Sequence, residues 1–383
     1  MSTTSPEPKD PAAAVRIDQG SPRVWILLGD KLGDNRQVDP VVRALDWPCE
    51  HKHLEMREPY VLGKPEFEAS LHHVDQARSD TLEPPWPDLI ITIGRRPSMV
   101  ALWIREQSGE RTKVVLIGKP SGLLDQFDLV VSSAENLLPR WPNVLHLSLP
   151  LMSPDVASIA RATDAWRSRL APLPRPLFAL LVGGPTSPFV FDAAMARELA
   201  RAAGKATAEH AGSLYVTTSR RTPEEVVDTL VAELPPKTEV YRWSAEATEN
   251  PYQGLLGLAD YFVVTGDSIS MMVEVARLGK PLAIFPLPLR PGHVRNRLRR
   301  ELGRSLLAAE RRGLYGRLLQ RLGGRLYRAG VIDQLRDIRA FQDLLVDRGL
   351  AVWFGEPFGS GPPSLPDEIP EAVGRIKSLI KNE

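Results

Sequence analysis

The sequence predicts an α/β protein built from two doubly wound, Rossmann-like domains that face each other across a cleft. The chain has 383 residues, which is more than one average domain. Short continuous apolar runs recur along it, each followed by turn residues and a helical pattern. Continuous runs, as opposed to alternating ones, indicate parallel strands that helices cover on both faces. A proline-rich stretch at residues 172–176 interrupts the series, and the same pattern restarts directly after it.

The composition predicts a soluble globular protein of a reducing compartment. Hydrophobic residues make up 43% and charged residues 25% of the chain, and the net charge is +1. The single Cys49 excludes an internal disulfide framework. No apolar run approaches the roughly 18 residues needed to span a bilayer. Residues 1–22 are polar and rich in proline and alanine, so we expect a flexible tail and not a secretory signal.

The apolar runs define the expected domains. The N-terminal domain spans residues 23–171 and the C-terminal domain spans residues 176–345. We expect residues 346–383 to pack back on the N-terminal domain. The predicted strands of the first domain are 24–28, 88–93, 113–117 and 127–131. Those of the second are 177–182, 214–218, 238–243 and 260–264.

The loop after residues 260–264 is the most informative one. In open parallel sheets, ligands bind beyond the carboxyl ends of the strands. Gly266 permits close backbone approach, Asp267 or Ser268 can cap the next helix, and its N–H groups favour a phosphate. Ser270 lies in the first turn, and Glu274 comes about two turns into the helix, within reach of a sugar hydroxyl. The alternative is a capped amphipathic helix without a ligand.

Two further loops of the same domain carry related features. Gly183 and Gly184 follow the strand at 177–182 and form a second loop for close approach, or a simple tight turn. Arg220 and Arg221 follow the strand at 214–218, where two guanidiniums suit a pyrophosphate; the alternative is solvated surface arginines. Because all three loops belong to one domain, we expect them to converge on one edge.

In the first domain a polar loop follows the strand at 24–28. Asp30 or Asp34 is a candidate general base towards a hydroxyl. The alternative is a solvated loop that caps the next helix. The predicted acceptor-binding residues are Lys31, Asn35, Arg95 and Arg96, the last two opening the neighbouring loop.

The histidines and the single cysteine predict no metal site. His51, His53, His72 and His73 lie in polar contexts without convergent carboxylates, so we expect them at the surface.

A basic segment stands out in the otherwise neutral chain. Residues 290–328 contain twelve arginines and two acids, with leucines at helical spacing. A basic amphipathic segment of this kind is typical of an interfacial helix on an anionic membrane. The alternatives are a helical hairpin that packs its leucines on the domain or, less favoured, a nucleic-acid surface. The predicted membrane residues are Arg297, Arg300, Arg304 and Arg311.

Several motifs together resemble one protein family. They are Gly29-Asp30-Lys31, Ile93-Gly94-Arg95-Arg96, Val182-Gly183-Gly184-Pro185, Ser219-Arg220-Arg221-Thr222-Pro223 and Thr265-Gly266-Asp267-Ser268. In these the chain resembles the mitochondrial fission ELM family and, more distantly, glycosyltransferases of the GT-B architecture. The resemblance implies that the C-terminal domain binds a nucleotide-sugar around Gly183, Gly184, Arg220, Arg221, Gly266, Ser268, Ser270 and Glu274. It implies an acceptor side at residues 29–37 and at Arg95 and Arg96.

Two functions follow as hypotheses. The first is a glycosyltransferase that moves a sugar from a nucleotide diphosphate sugar to a lipid or lipid-linked acceptor, peripheral on the cytoplasmic face of the membrane. It would need no cofactor and no essential metal, and no nucleic-acid partner is expected. The second is a catalytically silent scaffold of the same fold that sits on a membrane and recruits a protein partner.

Overall fold

The computed structural model describes residues 21–29, 35, 37–62, 65–120, 123–290, 294–308, 314–332, 335–358 and 367–381. It contains two six-stranded sheets, and all pairings between their named strands are parallel. Helices cover both faces of each sheet. The prediction of two doubly wound, Rossmann-like domains is therefore confirmed.

The N-terminal sheet has the strand order β2-β1-β3-β4-β5-β6. Its central strands β1 and β3 are buried at all five positions, as their continuous apolar runs predict. The strands are β1 (Val24–Leu28), β2 (Cys49–His53), β3 (Leu89–Ile93), β4 (Lys113–Ile117), β5 (Leu129–Ser133) and β6 (Val144–Leu147).

The C-terminal sheet has the order β12-β11-β10-β7-β8-β9. The switch in strand order lies between β7 and β10, which is where a doubly wound sheet opens a crevice for ligands. The strands are β7 (Leu177–Leu181), β8 (Ser213–Thr217), β9 (Glu239–Tyr241), β10 (Tyr261–Thr265), β11 (Leu282–Phe285) and β12 (Val352–Trp353).

Helices connect these strands and also link the two domains. Their bounds are α1 (Asp39–Leu45), α2 (Glu58–Leu62), α3 (Arg95–Gln107), α4 (Val156–Leu170), α5 (Ala193–Glu209), α6 (Glu224–Glu233), α7 (Tyr252–Leu258), α8 (Ile269–Arg277), α9 (Val294–Gly303), α10 (Leu314–Arg328), α11 (Ile338–Asp347) and α12 (Ile369–Lys381). A π-helical turn, Arg304–Ala308, follows α9.

The chain crosses between the domains more than once. Helix α4 packs on α7, and its Ile159 and Leu170 belong to the C-terminal core, although α4 lies inside the predicted N-terminal span. Conversely, Leu306 and Tyr327 from the basic segment belong to a core cluster of the N-terminal domain. Helix α12 packs on α1, so the end of the chain returns to the N-terminal domain.

The carboxyl edges of the two sheets face each other. Residues 335–337, just before α11, hydrogen-bond to the turn that follows β5: the Asp337 N–H donates to the Glu135 carbonyl at 2.7 Å, and the Leu137 N–H donates to Leu335 at 3.2 Å. Helix α11 in turn contacts the loop after β10, because Gln342 donates to the Gly266 carbonyl. A cleft therefore separates the two loop regions in which the sequence places its candidate residues.

Candidate functional site

Three loops of the C-terminal sheet meet directly. They follow β7, β8 and β10 and carry the predicted donor residues. The Gly184 N–H donates to the Asp267 carboxylate at 2.9 Å, and the Arg221 guanidinium lies 3.8 Å from the same carboxylate. The Thr222 hydroxyl donates to the Gly183 carbonyl. Loops separated by more than eighty residues in sequence thus share one edge of the sheet.

The two glycines allow this close approach. A Cβ atom on Gly184 would overlap the backbone carbonyl of Arg221, and one on Gly183 would overlap the Asp267 carboxylate. Their N–H groups are already bonded within the protein, since the Gly183 N–H donates to the Thr265 hydroxyl at 2.8 Å. The glycines therefore shape the pocket, and their contact with a donor stays a prediction.

Asp267 is turned away from the start of α8. It is 3% exposed, and the Thr265 hydroxyl donates to its carboxylate at 2.8 Å. Burial raises the pKa of Asp267, while its hydrogen bonds and Arg221 oppose that rise. Its negative charge thus faces Gly184 and Arg221, which limits the repulsion that this carboxylate would exert on an anion at the helix start.

A cavity of about 250 Å³ opens beside these loops. Three predicted donor residues line it, namely Arg220, Ser270 and Glu274. The other lining residues were not predicted: Met152, Thr217, Thr218, Ser219, Trp243, Asn250, Tyr252 and Met271. Most of them follow strands β8 and β9 or lie on the exposed turn of α8, so the rule that ligands bind beyond strand ends could have identified them.

Glu274 is held in place by a tyrosine. It is 7% exposed, and the Tyr252 hydroxyl donates to its carboxylate. The Asn250 side chain accepts the Tyr252 N–H at 2.9 Å and so fixes the start of α7. A carboxylate accepts several hydrogen bonds, so Glu274 can receive a ligand hydroxyl in addition to Tyr252.

Ser268 occupies the N-cap position of α8 without capping it. Its hydroxyl is buried and has no hydrogen-bond partner among the residues that the structure describes. An unpaired buried hydroxyl is costly unless a ligand or a water molecule satisfies it. The role of this side chain in binding a donor stays a prediction. Gly266, two residues earlier, packs against Gln342.

The loop after β8 is joined to the loop after β7 through Thr222. Thr222 does not cap α6: the N-cap is Pro223, which makes no side-chain cap. The Thr222 hydroxyl accepts the Ser219 N–H at 2.9 Å. Because the same hydroxyl donates to Gly183, it ties the loop after β8 to the loop after β7.

On the acceptor side, Asp30, Lys31 and Asp34 lie outside the described residues. Asn35 is described, and its side-chain amide donates to the Gly29 carbonyl at 2.9 Å. The roles of these four residues stay predictions.

Arg95 and Arg96 lie in the first turn of α3, which begins at Arg95. Pro97 is tolerated there, since a first-turn residue needs no intrahelical N–H bond. The Arg95 side chain donates to the Pro65 carbonyl at 2.9 Å and lies over the Phe67 ring. The buried Arg96 donates to the carbonyls of Tyr60 and Val61. The two guanidiniums hold the backbone at Tyr60, Val61 and Pro65 in place, and their contact with an acceptor stays a prediction.

His73 contradicts the expectation that the histidines lie at the surface. Its side chain is fully buried, and its Nε2 lies 3.0 Å from the Arg96 carbonyl. Burial lowers the pKa of His73 to about 4, so the ring is neutral at physiological pH. No group of three or more His, Cys, Asp or Glu residues within the described ranges is placed to hold a metal ion.

The basic segment forms α9, the π-helical turn and α10. Arg304, a predicted membrane residue, instead forms two hydrogen bonds to the buried Asp337 and a third to Glu301 at 3.0 Å. A buried carboxylate needs such a partner, which explains the difference. Arg300 is half-buried on α9. The side chain of Arg297 and all of Arg311 lie outside the described residues.

The leucine stripe of this segment is divided between the core and the surface. Leu306 and Leu307 are buried, whereas Leu298 on α9 and Leu318 on α10 are 65% and 55% exposed. Leu302 and Leu322 are exposed as well. In the described part of the chain, none of the helices combines the length and the hydrophobicity needed to cross a bilayer.

Comparison with protein families gives a match over most of the chain. The sequence profile described as "Mitochondrial fission ELM1" matches residues 33–310. The mitochondrial fission protein ELM1 of Arabidopsis thaliana is 30% identical over 240 residues, which is 57% of this chain and 56% of the plant protein. The match thus spans little more than half of the plant protein's length. An uncharacterized protein of Rickettsia prowazekii is 23% identical over 300 residues, 69% of this chain and 83% of that protein.

Solved structures with a related arrangement have low sequence identity. A glycosyltransferase from Rickettsia africae aligns over 95% of this chain and 100% of its own, with 9% identity and a TM-score of 0.46. MurG from Acinetobacter baumannii aligns over 93% and 100%, with 12% identity and a TM-score of 0.41. UDP-GlcNAc 2-epimerase from Neisseria meningitidis, bound to UDP-GlcNAc, aligns over 94% and 100%, with 9% identity and a TM-score of 0.45.

Proposed function

The chain belongs to the mitochondrial fission ELM1 family, and from this premise and the cavity at the C-terminal sheet we propose that it is a glycosyltransferase. It would move a sugar from a nucleotide diphosphate sugar to a lipid or lipid-linked acceptor on the cytoplasmic face of a membrane. The observation that carries the proposal is the cavity beside these converging loops, which Arg220, Ser270 and Glu274 line.

The cavity has the groups that a nucleotide-sugar needs. Its volume of about 250 Å³ is near the lower end of small-molecule sites, which suits the nucleoside part of a donor with the remainder in the cleft. Glu274 accepts a hydroxyl of the ribose or the sugar. Arg220 and the N–H groups at the start of α8 bind the diphosphate, and the unpaired Ser268 hydroxyl donates there too.

These groups also suit the chemical step. As the bond between the sugar and the diphosphate breaks, its electron pair leaves with the nucleoside diphosphate, whose negative charge increases. Fixed donors aimed at that charge stabilise the transition state more than the ground state. In an inverting reaction the acceptor hydroxyl forms the new bond to the sugar and loses its proton to Asp30 or Asp34.

A membrane surface is the second part of the proposal. Leu318 and Leu322 are exposed on α10, where Arg317, Arg321 and Arg325 are exposed as well. Apolar side chains flanked by arginines favour the interface of an anionic bilayer. These residues take the place of Arg304 in the proposed membrane surface.

The proposal is tested by thermal unfolding with UDP-, GDP-, CDP- and ADP-sugars. A nucleotide-sugar at a hundredfold excess over its Kd stabilises the protein by about 2.7 kcal/mol, and we expect one nucleotide class to do so. Arg220→Ala and Glu274→Gln should remove the shift. Arg197→Ala, a change of an exposed arginine on α5, should preserve it.

Transfer is then measured as release of the nucleoside diphosphate when membrane lipids are added to the protein with the stabilising nucleotide-sugar. If no nucleotide-sugar changes the melting temperature, the transferase proposal fails. The second hypothesis, a silent scaffold on a membrane, is then favoured.

A further inference from the structure

A second cavity lies where the end of α9 and the start of α11 meet the loops after β7 and β11. It is separate from the cavity lined by Arg220, Ser270 and Glu274, which is called the donor cavity below after its proposed role. Its volume is about 270 Å³. Residues after β7 and β11 form one wall, where Phe189 and Leu289 make an antiparallel bridge. The end of α9 and the start of α11 form the rest. None of its lining residues belongs to the donor cavity.

This cavity has an excess of positive charge. Four arginines and two acids line it: Arg300, Arg304, Arg336, Arg339, Glu301 and Asp337. Arg304 alone pairs with both acids. The side chains of Arg300 and Arg336 form no hydrogen bond or ion pair with any residue that the structure describes. Within the described part of the chain, two positive charges are therefore left without a counter-ion.

The arginines are attached to a rigid frame. Asp337 caps α11 by accepting the Ala340 N–H at 3.0 Å, and its own N–H donates to Glu135 of the other domain. Arg336 forms an antiparallel bridge with Asn136. The Arg339 guanidinium lies 5.0 Å from the centre of the Trp353 ring. Such a frame reduces the entropy lost when an anion is bound.

We propose that this cavity binds a phosphate group, either on a lipid or free in solution. Guanidiniums bind phosphate through paired, charge-assisted hydrogen bonds, and four of them line this cavity. Leu289 lines the same cavity and is 46% exposed. An apolar side chain at the rim of an arginine site suits a phosphate attached to a hydrocarbon chain.

Free phosphate is tested first, by calorimetric titration of the full chain with pyrophosphate. The double variant Arg300→Ala/Arg336→Ala should weaken binding by on the order of tenfold or more, because two charge-assisted contacts are lost. Arg197→Ala is the matched control and should bind like the unchanged protein. Arg220→Ala tests the donor cavity: loss of pyrophosphate binding in this variant alone would place the ion there and overturn the proposal.

Binding to a lipid phosphate is tested by sedimentation with phosphatidylcholine vesicles. One vesicle type contains phosphatidic acid, and the other contains phosphatidylserine at equal surface charge. A phosphomonoester site should favour phosphatidic acid, and the double variant should lose that preference. Leu318→Ser/Leu322→Ser should weaken binding to both vesicle types, because these side chains lie in the proposed membrane surface. Pyrophosphate binding without a preference for phosphatidic acid identifies free phosphate as the ligand.

The proposal is overturned if the double variant equals the unchanged protein in both arms, or if the unchanged protein binds neither ligand. Its failure is distinguishable from that of the transferase proposal. The double variant should keep the thermal shift with a nucleotide-sugar, whereas phosphate binding without any nucleotide shift would support this site alone.

Discussion

Two arginine pairs follow parallel strands in this molecule, one in each domain, and the protein uses them differently. Arg95 and Arg96 follow β3, and their guanidiniums donate to backbone carbonyls of residues 60–65. Arg220 and Arg221 follow β8. Arg220 is exposed and lines the donor cavity, where its side chain has no partner among the residues described.

The difference arises from whether another segment packs on the arginines and offers them hydrogen-bond acceptors. In the N-terminal domain, α2 and the residues after it offer carbonyl oxygens to the arginines, so the guanidiniums stabilise the fold. In the C-terminal domain no such segment covers Arg220 within the described ranges, and its charge faces a cavity. An arginine after a strand therefore indicates a ligand only where no other segment supplies its acceptors, as for Arg220 and unlike Arg221, which pairs with Asp267.

The largest expected effect is on the free energy of unfolding, which should distinguish Arg96 from Arg220. Arg96→Ala should lower the free energy of unfolding by about 3 kcal/mol, because it removes two hydrogen bonds of a buried charged group. Arg220→Ala, an exposed position, should change it by less than about 0.5 kcal/mol. Urea denaturation measures both. Equal effects of the two substitutions would contradict the distinction drawn here.

A smaller effect is expected from the glycines that join the donor loops. Gly184→Ala should lower the free energy of unfolding by about 2 kcal/mol, since its Cβ would overlap the Arg221 backbone. Gly374→Ala is the control: this exposed helical position has open space for a Cβ, so the change should stabilise by about 0.5–1 kcal/mol. If Gly184→Ala is neutral in urea denaturation, the two loops are less closely packed than described.

The smallest of the three effects concerns pH. The pKa of His73 is lowered to about 4 from 6.5, so the unfolded chain binds more protons in that window. Stability should therefore fall as the pH falls, by roughly 1.5 kcal/mol between pH 6.5 and 5. His73→Gln keeps a donor for the Arg96 carbonyl and should flatten this dependence. An unchanged slope in the variant would show that other groups cause the acid sensitivity.

The sequence was sufficient to predict the central strands. The predicted runs at 24–28 and 113–117 coincide with β1 and β4, and the run at 177–182 differs from β7 by one residue. These strands are buried on both faces, so their apolar character follows from their position in the sheet. The end of α8 was predictable too, because Gly279 has the positive φ of 64° that terminates a helix.

Edge strands and long-range partners could not be predicted in this way. The residues of β2, Cys49–His53, are mostly polar and at least partly exposed, since the strand lies at the sheet edge. Asp337 pairs with Arg304 across 33 residues, and Tyr252 bonds to Glu274 across 22. Such pairs depend on how distant elements pack, and a local pattern holds no information about them.

Hydrogen bonds between the domains restrict how far the cleft can open. The Arg277 side chain, at the end of α8, donates to the Pro150 carbonyl at 3.1 Å. At the opposite side of the cleft, Asp337 connects Arg304 with the backbone of Glu135. A wide hinge rotation would break both sets of hydrogen bonds at once. A ligand should therefore enter the cleft through small displacements of loops, with the two halves moving almost as one body.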